Sequence, residues 1–77
     1  MKPDEQALLL ALAEASDPEE LPGDVAARLH IHPNRAAYIF AKWTRKGWYD
    51  YGVNVLLGWL EPAGFKAAES LKAESKV

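Results

Sequence analysis

A chain of 77 residues, 49% of them apolar and eight aromatic, suffices for one domain with one small core, burying about 60–65% of the surface its unfolded form exposes. The absence of cysteine excludes disulfides and thiolate zinc sites, and the longest apolar run, residues 7–13, falls far short of the roughly 20 residues a membrane helix needs. The formal charge of −2 conceals a strong asymmetry: residues 25–49 carry five Lys/Arg and no acid, while residues 1–24 carry seven acids and one lysine, a distribution that offers a polyanion one basic face.

Residues 4–16 read as a first helix, with Asp4 as its cap and Leu8, Leu9, Leu12 and Ala15 at helical spacing. The acidic opening Met-Lys-Pro-Asp-Glu is unlike a signal peptide, so the expected location is the cytoplasm. The sequence Asp17-Pro18-Glu19-Glu20 breaks the helix. Pro22 suits a first helical position, and Asp24 the positive end, of a second helix over residues 22–29. His30-Ile31-His32-Pro33 forms a turn, and a third helix runs from Pro33 to Lys46, where Gly47 stops it. β-Favouring aromatics then predict a hairpin, with strands over residues 48–51 and 55–60 around Gly52-Val53-Asn54. A last helix covers residues 62–73, before a polar tail expected to fray. The expected core is Leu8, Leu12, Val25, Leu29, Ile31, Phe40, Trp43 and Leu60.

Two stretches carry a family resemblance. Asp24-Val25-Ala26-Ala27-Arg28-Leu29-His30-Ile31 is similar to the second-helix pattern E-L-A-x-x-L-G-I/V, and Trp43-Thr44-Arg45-Lys46-Gly47-Trp48-Tyr49 to the pattern that ends a recognition helix. Further on, Trp59-Leu60-Glu61-Pro62-Ala63-Gly64 resembles the wing-closing L-T-x-x-G of MarR-like repressors. With these motifs in order over residues 21–65, the chain resembles a winged helix-turn-helix domain. The resemblance implies a mainly α fold of three helices, a small β-hairpin wing and a last helix. It also implies DNA binding in transcription regulation, at a size that suits a phage or mobile-element regulator. Two features depart from the pattern. His30 stands where the family has Gly, at a turn that favours positive φ, and no Lys or Arg lies between Trp48 and Pro62 to give the wing a basic tip.

The third helix is the candidate for reading double-stranded DNA. Ala36, Phe40 and Trp43 share its inner face, which turns Asn34, Arg35, Ala37, Tyr38, Ala41, Lys42 and Arg45 outward. The major groove admits a helix; Asn reads adenine and Arg reads guanine by paired hydrogen bonds, and the alanines permit close approach. Lys42, Arg45 and Lys46 suit phosphates, and Arg28 a flanking backbone contact. The expected DNA-binding set is therefore Arg28, Asn34, Arg35, Tyr38, Lys42, Arg45 and Lys46. The plain alternative is a solvated basic face on a structural helix, and the rival function is a winged-helix module that binds protein, favoured by the acidic first third and the cation-free wing.

Nothing in the chain points to catalysis or a cofactor: no hydroxyl sits in a nucleophile motif and no Gly-rich phosphate loop is present. His30 and His32 lack the further ligands of a metal site and fit turn and capping roles better. Trp43, Trp48 and Trp59 read as core, although a hairpin that turns Leu56 and Leu60 inward leaves Leu57 and Trp59 facing out. One short helix covers few base pairs, so a homodimer is expected on DNA, paired through the hairpin (Tyr49, Tyr51, Leu57, Trp59) or through the first and last helices (Leu9, Leu71).

Overall fold

The structure is a computed structural model that describes residues 1–15 and 20–74. Its architecture is mainly helical with one small antiparallel hairpin, in the order helix, helix, helix, hairpin, helix expected above. Helix α1 (Pro3–Glu14) starts on a proline, as a first turn allows, and Lys2 precedes it without a side-chain cap. Asp4 is therefore in the first turn and not the cap. Its Oδ1 accepts the Glu5 N–H at 2.8 Å. The expected end of this helix at Ser16, the break at residues 17–19 and the tail at residues 75–77 lie outside the described residues.

Helix α2 (Pro22–Arg28) ends one residue earlier than expected. His30 then takes φ 60°, the left-handed conformation that lets the Ile31 N–H reach back to the Ala26 carbonyl at 2.9 Å. This turn delivers Pro33 to the start of α3 (Pro33–Lys46), where His32 Nδ1 accepts the Asn34 N–H at 3.1 Å and caps the helix. Gly47, at φ 80°, closes α3 and lets the Gly47 and Trp48 N–H groups bond the Thr44 and Trp43 carbonyls.

The hairpin is smaller than its sequence suggests. Strands β1 (Tyr49–Asp50) and β2 (Trp59–Leu60) pair Tyr49 with Leu60 and Asp50 with Trp59. The expected strand over residues 55–60 is mostly a 3-10 turn at Val55–Leu57, capped by Asn54 Oδ1, which accepts the Leu56 N–H at 2.9 Å. The Tyr49 hydroxyl explains the difference. It donates to the Val55 carbonyl at 2.6 Å and accepts the Gly58 N–H at 3.0 Å, so it takes backbone groups a longer ladder would need. Gly58 is required there, because a Cβ would run into the Asp50 carbonyl and the Tyr49 side chain. The Glu61 N–H bonds the Trp48 carbonyl at 2.8 Å and leads into α4 (Pro62–Glu74).

Helix α1 lies against α2 and α4, and α3 packs on α2, β1 and the 3-10 turn. The core gathers Leu8, Leu9, Val25, Ala26, Ile31, Ala36, Ile39, Phe40, Trp43, Tyr49 and Ala68. Phe40 stacks on Tyr49 with centroids 4.6 Å apart and meets Trp43 edge-on at 5.7 Å. Leu12, Leu29 and Leu60, expected inside, are half-buried and pack against this core from its margin. Among the tryptophans only Trp43 is fully buried; Trp48 is half-buried and Trp59 exposed.

Candidate nucleic-acid interface

Because Ala36, Ile39, Phe40 and Trp43 bury one side of α3, the opposite side is a stripe at spacings of four, three and four: Asn34, Tyr38, Ala41 and Arg45. Asn34, Tyr38 and Arg45 are exposed, and Tyr38 presents more than half of its surface. The Asn34 backbone is fixed by the His32 cap, while its carboxamide has no partner among the described residues. Half-buried Ala37 and Ala41 leave shallow ground between the longer side chains.

The remaining cations are placed differently. Arg35 turns toward the first turn of α1: its Nε donates to Asp4 Oδ2 at 2.8 Å, and Nη2 donates to Asp4 Oδ1 at 3.2 Å and to Glu5 Oε1 at 3.1 Å. Lys42 Nζ lies 3.3 and 3.2 Å from the two Glu5 oxygens. Glu5 is only 3% exposed, a carboxylate enclosed between two cations. The Arg35 hydrogen bonds hold the Asp4 carboxyl below its ordinary value, and Asp4 in turn raises the Arg35 guanidinium. Two acids thus cancel two of the cations expected to meet DNA. Arg28 is likewise bonded to Glu20 Oε1 at 2.8 Å, although its side chain remains 55% exposed.

Arg45 and Lys46 have no ion-pair partner among the described residues, and both are exposed. Lys46 Nζ sits 4.6 Å above the Trp48 ring, which steadies it without cancelling its charge. Both lie in the last turn of α3, where the helix dipole also favours cations. Of the seven expected residues, the structure brings Asn34, Tyr38 and Arg45 onto one exposed stripe with Lys46 beside it. Arg35 and Lys42 lie toward α1, and Arg28 is on α2. The counter-charges Asp4 and Glu5 were missed; the signal for them was the pair of acids at the start of α1, facing a basic helix with no acids of its own.

The hairpin presents an apolar surface. Tyr51, Val53, Leu57 and Trp59 are all exposed, and Trp59 Nε1 is anchored to Glu61 Oε1 at 3.0 Å. Tyr49, expected on that outer side, is instead 1% exposed. Leu9, expected at a helix–helix contact between copies, is fully buried. No helix among the described residues is long and apolar enough to cross a membrane. No family model, curated protein or solved structure matches this chain.

Proposed function

We propose that this protein is a small winged-helix DNA-binding domain, a transcription regulator acting in the cytoplasm, that lays α3 in the major groove of duplex DNA. The observation that carries the reading is the exposed stripe Asn34–Tyr38–Ala41–Arg45, with Lys46 next to it, on the side of α3 opposite the core. Asn34 and Arg45 supply base-reading chemistry, Ala37 and Ala41 allow close approach, and Lys46 meets phosphate. Arg35 and Lys42 support α3 through Asp4 and Glu5 and contribute little to phosphate neutralisation. Two copies on a pseudo-palindromic site would read half-sites about one helical turn apart.

The reading is tested by anisotropy titration of random duplex at low and moderate salt. With two to three phosphates neutralised per copy, the log–log salt slope is about −1.8 to −2.7 per copy. Arg45→Ala weakens binding about five- to a hundredfold, and Lys42→Ala less than about threefold. A larger loss from Lys42→Ala than from Arg45→Ala contradicts this assignment of the face.

One observation favours a second reading, a protein-binding module. The hairpin carries no cation between Trp48 and Pro62, and its apolar tip projects Val53 fully into solvent. Absence of duplex binding at low salt would turn the assignment to that reading.

A further inference from the structure

Helices α1 and α4 leave between them a groove of about 300 Å³ whose floor includes Leu10 and Ala13 and whose wall includes Phe65. Phe65 is 45% exposed, a large apolar side chain standing at the edge of an apolar trough. The Glu14–Lys72 pair, 3.1 Å apart, bridges the two helices along the same groove. Lys66 and Glu69 also line it, and neither has a partner among the described residues. They are three residues apart with the lysine first, the poorer order for pairing within one helix.

This charge pattern is complementary to itself. If two α4 helices pack antiparallel through their exposed sides, about a two-fold axis level with the 67–68 peptide, Lys66 of each copy faces Glu69 of the other, so the contact forms twice. Phe65, exposed one position before Lys66, would lie at the margin of that contact in each copy. A ligand or partner of single charge would satisfy only one of the two residues. We infer that the α1–α4 groove is the surface through which two copies of this chain pair, with reciprocal Lys66–Glu69 contacts flanked by Phe65. None of the groove residues belongs to α3, so pairing leaves the Asn34–Arg45 stripe free. The inference rests on the two-copy part of the function proposed above, but its test needs no DNA.

Sedimentation equilibrium of the free protein up to millimolar concentration tests it. The wild-type chain self-associates to a dimer. Lys66→Glu and Glu69→Lys each weaken that dimer about three- to tenfold, because every exposed pair occurs twice, and the double swap recovers wild-type association within about twofold. Phe65→Ser weakens it about tenfold or more. A protein that stays monomeric throughout overturns the interface and leaves DNA reading by α3 untouched. A dimer indifferent to all these changes, or one the double swap does not restore, also overturns it and leaves the hairpin face as the pairing surface.

Discussion

His30 holds a left-handed backbone conformation without being glycine, at a cost of about 1 kcal/mol. His30→Gly is therefore expected to stabilise the domain by roughly 0.5 kcal/mol, the strain relief being partly offset by the freer unfolded chain; denaturant unfolding measures it. Asp4 makes a second prediction at this scale. Its folded-state pKa lies below the ordinary 3.8, since Arg35 bonds the ionised form. A carboxyl so depressed contributes stability that is present above its unfolded value and lost as pH falls through the folded one. Stability followed from pH 6 to pH 2 should thus fall less steeply in Asp4→Asn than in the wild-type protein below about pH 4. Parallel curves for the two proteins would show that the Asp4–Arg35 bond does not tie α1 to α3 in solution.

At the scale of elements, the hairpin hangs on Tyr49. Its hydroxyl serves both the Val55 carbonyl and the Gly58 N–H, and burial pushes its pKa up to about 12. A tyrosine raised in this way contributes stability that is complete below its unfolded value of 10 and is lost as pH rises to about 12. Tyr49→Phe is expected to cost about 1–3 kcal/mol at neutral pH, by leaving a donor and an acceptor unpaired, and to flatten the decline of stability between pH 10 and 12; unfolding followed at both pH values checks both effects. The same residue marks where the sequence stops being readable. The bounds of α3 were legible because Pro33 and Gly47 act through their own backbones. The second strand was not, because β propensity at Val55–Leu57 is overridden by a hydroxyl six residues away in the chain. Two of the seven candidate site residues, Arg35 and Lys42, have partners that the sequence did not reveal, for a related reason. Periodicity told which side of α3 is buried, but the carboxylates that meet Arg35 and Lys42 lie 30 to 37 residues earlier, on an acidic turn whose local role was complete without them.

Across the whole molecule, charge is sorted by partner. The basic segment between residues 25 and 49 is cancelled where it meets α1 and left open at the far end of α3, where Arg45 and Lys46 remain. The domain therefore offers a polyanion a narrower and less charged face than its sequence suggests, and under the proposed function affinity for duplex DNA would depend more on contacts made by Asn34, Tyr38 and Arg45 than on counterion release. The most direct measurement is the amide chemical-shift map of the protein titrated with duplex DNA at low salt. DNA reading by α3 places the largest shifts at Asn34, Tyr38, Ala41, Arg45 and Lys46, with Asp4, Glu5 and the hairpin tip at Val53 little moved. Shifts concentrated at Tyr51, Val53, Leu57 and Trp59, or none at all over residues 33–46, would contradict it.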